Sequence, residues 1–245
     1  GMSVLLDVLA YNTHYLGFNA NMVANEMFLD SASLRSSIVS HAKTLGYVPS
    51  SARAAKATVD VTLNTNSSTA TMPAGTVFST TVGDTTFQFS TIEAFTKSNT
   101  GNSIPFVGVD IFEGTFITTR YTVDTSDIDQ RFLLTDNRAD TSTLIVKVQT
   151  SSTDSTSTTF TEATDITQVT SGSNVFFLQE VEAGLFEVYF GDGVIGTALS
   201  DDNIVILTYV VSNKTAANGA TLFTNASTIA SVTDISVATA ATASA

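Results

Sequence analysis

The sequence contains no cysteine and no tryptophan, only three prolines, and few charges. Without cysteine, neither a disulfide framework nor a thiolate metal site can form. The net charge of −13 comes from 23 acidic and 10 basic residues. Nucleic acid and anionic membrane surfaces are therefore disfavoured as partners, because phosphate contacts require Lys and Arg. No run approaches the roughly 18 apolar residues of a transmembrane helix, so the pattern predicts no membrane span.

The strongest helical signal lies near the start, from Leu5 to Gly46. Apolar residues recur there at spacings of three and four, which predicts two helices joined by a short break. The first helix carries a broad apolar stripe made of Val4, Val8, Tyr11, Tyr15 and Phe18, flanked by Leu5, Leu9 and Leu16. Such a stripe is wider than a surface helix requires. We expect it to cover a sheet, the second helix or another chain.

The second helix has candidate signals at both ends. Asp30 precedes the periodic run of Leu34, Ile38, Ala42 and Leu45, and an aspartate can cap the free N–H groups of a first turn. Gly46 follows the last periodic residue, as a left-handed C-terminal cap requires, and Pro49 prevents continuation. We therefore expect the helical segment to end before residue 50.

The remaining chain is typical of β-structure. Alternation of apolar and polar residues from Ala57 to Leu63 predicts a half-buried strand, and short strands with Gly and Asp turns follow at roughly ten-residue spacing. The predicted fold class is α+β, mainly β, with an N-terminal helical pair followed by antiparallel β-sandwich-like sheets. The expected divisions are 1–50 (helical), 51–103 (first β domain), 104–225 (second β domain) and 226–245 (flexible tail or truncated linker).

The residues needed for catalysis or for metal binding do not cluster in the sequence. His14 and His41 have no partner at a metal-binding spacing, and the Gly-x-Ser-x-Gly nucleophile motif is missing. The paired carboxylates Glu180 and Glu182 read as a solvated strand edge. We therefore expect no catalytic, metal or cofactor site, no small-molecule substrate and no enzyme activity.

A second local signal is Gly191-Asp192-Gly193, which follows the strand that ends in Phe190. Asp-Gly favours a tight hairpin, because both central residues of that turn need a positive φ angle. The alternative is a calcium loop that uses Asp192 with Asp201 and Asp202. The EF-hand spacing is absent, so a structural turn is the preferred interpretation.

The two ends suggest a piece of a longer protein. Gly1 before Met2 looks like the remnant of an expression tag, and the first helix begins almost at once. We expect the natural chain to extend upstream. The small, polar end from Ser236 to Ala245 has the composition of a truncation point or a linker.

Two segments go beyond general patterning. The first runs Leu6-Asp7-Val8-Leu9-Ala10-Tyr11-Asn12-Thr13-His14-Tyr15, then Asn25-Glu26-Met27-Phe28-Leu29-Asp30-Ser31-Ala32, then Ala42-Lys43-Thr44-Leu45-Gly46-Tyr47. The second is Phe186-Glu187-Val188-Tyr189-Phe190-Gly191-Asp192-Gly193-Val194-Ile195-Gly196, leading to Asp202-Asn203-Ile204. Pro73-Ala74-Gly75-Thr76 and Glu113-Gly114 lie between them. In this order they resemble the baseplate J-like proteins of contractile-tailed phages, and in particular the large baseplate wedge subunit of T-even-like phages.

The resemblance implies a structural protein of the virion, made in the host cytoplasm. Copies of such a subunit join one another and neighbouring wedge proteins into the ring around the tail hub, and that ring changes shape when the tail contracts. This chain is shorter than the full wedge subunit, so some ring contacts are expected to lie outside it.

The residue types agree with an association role for the helical pair. Aromatic residues and methionine are enriched at the centres of protein interfaces, and the candidates of these types are Tyr11, Tyr15, Phe18, Met22, Met27 and Phe28. These side chains could instead cover the chain's own sheet. A β-rich binding or adhesin module of a tail or cell surface is the alternative function, which the Ser/Thr abundance and acidic surface also fit.

Overall fold

The computed structural model describes residues 1–181, 184–225 and 227–245. The chain divides into two compact units. The first contains Gly1–Ser50 and a short stretch that begins at Gln179, and the second contains Ser51–Leu178 and Gly184–Ala245. The expected fold class is confirmed, because two N-terminal helices precede β-sheets that are mostly antiparallel.

The helical unit contains helices α1 (Met2–Glu26) and α2 (Arg35–Thr44). The expectation that Asp30 caps α2 is wrong, because the helix starts five residues later, at Arg35, and its N-cap position is Leu34. The reason is local. The backbone N–H groups of Ser31 and Ala32 already bond to the carbonyl oxygen of Phe28 in the turn between the helices.

The C-terminus of α2 follows the sequence signal. Gly46 has φ +76°, which is the left-handed conformation that glycine adopts without steric cost. The N–H of Tyr47 donates to the carbonyl of Ala42, and that of Gly46 donates to the carbonyl of Lys43. This pair of hydrogen bonds is a Schellman motif, and it satisfies two carbonyl groups that the helix end would leave free.

The β unit forms three sheets in the described residues. The alternation of one buried and one exposed residue along many of these segments explains why they form strands. The strands are β1 (Lys56–Asn64), β2 (Thr69–Met72), β3 (Val77–Val82), β4 (Thr85–Ser90), β5 (Phe95–Ser98), β6 (Ser103–Glu113), β7 (Thr115–Thr122), β8 (Phe132–Leu133), β9 (Ala139–Gln149), β10 (Ser157–Glu162), β11 (Val175–Glu180), β12 (Phe186–Phe190), β13 (Ile204–Val211) and β14 (Ile235–Ser244).

The first large sheet has the strand order β14-β1-β6-β4-β3, and the second has the order β7-β13-β9-β10-β11-β12-β8. β2 and β5 form a separate pair. In the second sheet, β13 lies antiparallel to both β7 and β9, whereas β10 and β11 run parallel. The sequence did not indicate this parallel pair.

Each large sheet has its own hydrophobic core. In the first, Val59, Val61 and Leu63 of β1 are fully buried with Phe78 and Phe89. In the second, the core includes Leu207 and Tyr209 of β13, which are also fully buried. The Tyr209 hydroxyl lies 3.1 Å from both the backbone nitrogen and the hydroxyl of Thr135. A buried phenol needs such a partner.

Two features of the sheets differ from the expected divisions of the chain. Strand β6 lies beyond the boundary expected at 103/104, yet it pairs with β1 along nearly its whole length. Residues 226–245, expected as a flexible tail or linker, contain β14, which also pairs with β1. Strand pairing uses backbone hydrogen bonds, which small residues form as well as large ones. The Ala, Ser and Thr content of this segment therefore gave no sign of strand β14. Ala226 lies outside the described residues, and the domain boundaries stay a prediction.

Candidate association surface

Helix α1 exposes its apolar side chains to solvent. None of its 25 residues is buried. Tyr11 is 72% exposed, Phe18 62% and Leu9 60%. A monomeric protein rarely leaves a contiguous apolar surface of this extent uncovered, so α1 is the leading candidate for a functional surface.

The apolar residues of α1 divide into two faces. Successive residues are rotated by about 100° around the helix axis, so the apolar positions fall into two groups on nearly opposite sides of the helix. The aromatic face contains Val4, Val8, Tyr11, Tyr15, Phe18 and Met22. The aliphatic face contains Met2, Leu5, Leu6, Leu9, Leu16 and Val23. The single broad stripe expected from the sequence is therefore two surfaces, and a helical-wheel reading that includes Leu6 and Val23 would have found them.

Four of the six interface candidates lie on the aromatic face. The rings of Tyr11 and Tyr15 stack on one turn of the helix, with their centroids 6.4 Å apart. Phe18 and Met22 continue the same row. Met27 and Phe28 lie beyond α1, in the turn before α2, and both are exposed. The structure therefore places four candidates on one face and two at its end.

The turn between the helices is fixed by Glu26. Its carboxylate accepts hydrogen bonds from the Ser33 hydroxyl at 2.7 Å, from the Ser33 N–H at 3.0 Å and from the Leu34 N–H at 3.2 Å. Glu26 thus satisfies the N–H groups of Ser33 and Leu34, the two residues just before α2, whereas no side chain in the described part of the chain caps the first turn of the helix itself. Hydrogen bonds from Ser33 and Ser37, followed by the backbone bonds, lower the Glu26 pKa from 4.5 to about 2.

The two histidines have different surroundings. His41 of α2 lies with Nε2 2.9 Å from the backbone carbonyl oxygen of Glu26, so it adds to the same turn. His14 is exposed on α1. Neither belongs to a group of three or more His, Asp or Glu side chains that could hold a metal ion, among the residues that the structure describes.

One buried carboxylate in the helical unit is held by an ion pair. Glu180, at the end of β11, is only 2% exposed, and its two oxygens accept from Nε and Nη2 of Arg35 at 2.9 and 2.7 Å. This bidentate geometry compensates the burial of the charge. The expectation that Glu180 lies on a solvated strand edge is therefore wrong, because its carboxylate is buried against Arg35. Glu182, the other member of the expected pair, lies outside the described residues.

Gly191, Asp192 and Gly193 lie in the connection that leads from β12 to β13, not in a two-residue hairpin. The Asp192 carboxylate accepts from the N–H groups of Val194 and Ile195, and these bonds lower its pKa. Gly191 is required by proximity, because a Cβ atom there would lie 2.2 Å from the carbonyl oxygen of Ile195. The three residues stabilise a compact loop.

The alternative calcium interpretation of this loop needs Asp192, Asp201 and Asp202 together. The Asp201 carboxylate is instead occupied by the N–H of Thr125 at 3.0 Å. Asp202 has φ +63° and donates its N–H to the carbonyl of Val123. Asp192 therefore makes its contacts within its own loop, whereas Asp201 and Asp202 contact the connection between β7 and β8.

Two comparisons bear on identity. Residues 1–47 match the family model described as "Baseplate wedge protein gp6-like, helical domain". The chain is 27% identical to "Baseplate wedge protein gp6" of Enterobacteria phage T4 over an alignment of 256 residues. It is similar to gp6 baseplate wedge proteins. The resemblance inferred from the sequence is therefore confirmed, and the matched family is one of structural baseplate proteins of the virion, not of enzymes.

The extent of the two matches differs. The gp6 alignment covers 96% of this chain but 38% of the gp6 relative, so the chain spans a little over a third of that protein's length. The helical-domain match covers α1, the turn and α2. The segment that exposes the two apolar faces is thus the segment with its own gp6-like family description.

Within the described residues, no helix is both long enough and apolar enough to cross a membrane.

Proposed function

We propose that this gp6-like chain is a structural subunit of a phage tail baseplate wedge. In this role it joins copies of itself and neighbouring wedge proteins into the ring around the tail hub, and it acts through helix α1. The observation that carries the proposal is the exposure of all the large apolar side chains of a 25-residue helix. The gp6-like match over residues 1–47 supports it independently.

The energetics favour a partner for α1. Most helical stability in proteins comes from packing of an apolar face, because the intrinsic preference of a chain for helix is weak. Within this chain α1 buries none of its residues. Association would supply the missing burial, at about 25 cal/mol for each Å² of apolar surface removed from water.

The two faces of α1 suggest a division of contacts. Tyr and Met are enriched at interface centres, and tyrosines frequently contribute most of the binding energy. The aromatic face around Tyr15 and Phe18 is therefore assigned to pairing with a second copy. The aliphatic face around Leu9 and Leu16 is assigned to a neighbouring wedge protein.

Light scattering after size exclusion, over a concentration series, tests this assignment. The double variant Tyr15→Ser/Phe18→Ser is expected to weaken self-association by tenfold or more, about 1.4 kcal/mol. The matched control is Leu9→Ser/Leu16→Ser, which removes two side chains from the opposite face and is expected to retain self-association. Unchanged self-association of the aromatic variant, with its circular dichroism intact, would contradict the assignment.

A further inference from the structure

A second candidate surface lies on the outer face of the seven-stranded sheet. Arg120 of β7, Ile206 of β13 and Lys147 of β9 are direct cross-strand partners and form one row. Because adjacent strands lie about 4.8 Å apart, the two cations flank the isoleucine across roughly 10 Å. Both cations are exposed and Ile206 is half-buried.

Arg120 and Lys147 are two of the ten basic residues of this acidic chain. Among the described residues, Arg35, Lys56, Arg131 and Arg138 have carboxylate partners. No ion pair or side-chain hydrogen bond within the described residues involves Arg120 or Lys147. The neighbouring outward rows are uncharged, consisting of Thr118, Thr208 and Ile145 on one side and Thr122, Ile204 and Gln149 on the other. The surface therefore presents an apolar centre between two free positive charges.

The complementary arrangement exists elsewhere on the same chain. In the loop between β7 and β8, Ile128 is 94% exposed and lies between Asp127 and Asp129. Two negative charges flank this apolar side chain in sequence, whereas two positive charges flank Ile206 on the sheet. The Asp127 carboxylate also accepts the N–H of Asp129 at 3.0 Å, which fixes it within the loop. Such matching of charge sign and apolar centre is what fixes partner and orientation at interfaces.

The loop is held in place before any contact. Gln130 donates from Nε2 to the carbonyl of Thr122 at 2.8 Å and accepts the N–H of Asp124 at 3.1 Å. The N–H of Thr125 is fixed by Asp201. Ile128 is therefore presented by an ordered loop, which reduces the entropy lost on binding. Its 94% exposure shows that it does not contact its own sheet.

We propose that the Asp127-Ile128-Asp129 loop of one copy docks on the Arg120-Ile206-Lys147 row of a second copy. Asp127 and Asp129 face the two cations, and Ile128 contacts Ile206. The donor loop and the acceptor row are different surfaces, so the contact is head-to-tail and extends from copy to copy. It rests on the proposed function only in requiring that copies of the chain lie side by side, and it uses none of α1.

Directed crosslinking tests the contact, because the native chain contains no cysteine. Full-length Ile128→Cys and Ile206→Cys chains are mixed and oxidised, both in the Tyr15→Ser/Phe18→Ser background that removes association through α1. The matched control replaces Ile128→Cys by Leu222→Cys, an apolar residue that is 80% exposed. We expect the heterodimer yield to exceed the control severalfold and to fall with added salt, since exposed charges are screened. A yield equal to the control would overturn the proposal.

Charge reversal provides the second readout. Arg120→Glu/Lys147→Glu should reduce the crosslinking yield by about tenfold, and adding Asp127→Lys/Asp129→Lys to both chains should restore it. Neither a row-reversed chain nor a loop-reversed chain should pair with itself through this contact, whereas mixing the two should restore association, because each loop then meets a row of opposite charge. Reversal without effect, or without restoration, would overturn the contact and leave the α1 assignment untouched.

Discussion

The helical unit and the β unit use apolar residues in opposite ways. In the β unit, alternate residues point into cores that are fully closed, as at Val59 and Leu207. In the helical unit, α1 exposes its large apolar residues. The fixed points of that unit are instead the polar contacts of Glu26, the Arg35–Glu180 ion pair and the cap at Gly46. The comparison teaches that the β unit is stable through its own burial, whereas α1 leaves its apolar surface unburied within this chain, as the proposed association requires.

A matched pair of leucine substitutions should show the largest difference between the units. Leu207→Ala removes a fully buried side chain and leaves a cavity in the second sheet, so it should lower the free energy of unfolding by about 2–5 kcal/mol. Leu9→Ala removes the same atoms from an exposed site and should change it by less than about 0.5 kcal/mol. Urea unfolding followed by circular dichroism measures both values. Equal losses would mean that α1 is packed in a core.

A smaller effect should come from the ion pair of the helical unit. Arg35→Ala leaves the buried Glu180 carboxylate without its bidentate partner, and we expect a loss of about 1–2 kcal/mol in the stability of that unit. Lys43→Ala in the same helix removes an exposed cation and serves as the control. Hydrogen exchange of the α2 amides should accelerate in the first variant and not in the second. Equal exchange in both variants would show that the ion pair does not stabilise α2.

How much of the fold can be predicted from the sequence depends on how regularly apolar residues recur in each segment. The alternation from Ala57 to Leu63 and the spacing of three and four in α1 were sufficient to predict strands and helices. Strand β14 was missed because its alternating residues are Ala, Ser and Thr as well as Ile and Val. Its pairing with β1 is set by backbone groups that every residue possesses.

The site was predictable to a similar degree. Aromatic residues at helical spacing identified Tyr11, Tyr15 and Phe18, but spacing alone did not tell whether they would face the chain's own sheet. Glu26 was missed because it bonds to Ser33, seven residues downstream, across a turn that forms only in the folded chain. The row of Arg120, Ile206 and Lys147 combines three strands distant in sequence, so it needed the strand register.

The smallest predicted effect is the pH dependence of the turn between α1 and α2, which depends on polar contacts and not on apolar burial. The ionised Glu26 carboxylate accepts the bonds at the start of α2, and its pKa falls from 4.5 to about 2. A group with a lowered pKa stabilises the fold above its unfolded value, and this contribution is lost as the pH falls through the folded value. The turn should therefore loosen between pH 4.5 and about 2.

Hydrogen exchange of the amides of Ser33 and Leu34, measured across that pH range, checks this expectation. Glu26→Gln keeps the side-chain shape but removes the charge, so its turn should be looser at neutral pH and should show no acid transition. An acid transition of the same size in both proteins would assign it to another group. Asp30→Asn serves as the control variant, because Asp30 does not cap α2.

The pairing of β14 with β1 has a consequence for synthesis of the chain. Lys56 lies opposite Ser244 in the register of these strands, so the first sheet takes one strand from near the start of the β unit and one from its end. During synthesis on the ribosome, β1 emerges early and can pair with β6. Its other edge, which pairs with β14 in the folded chain, stays unpaired at that stage. That edge is an open template for foreign strands until β14 leaves the exit tunnel. The rate of translation therefore sets how long every nascent copy remains exposed to its neighbours on the same messenger.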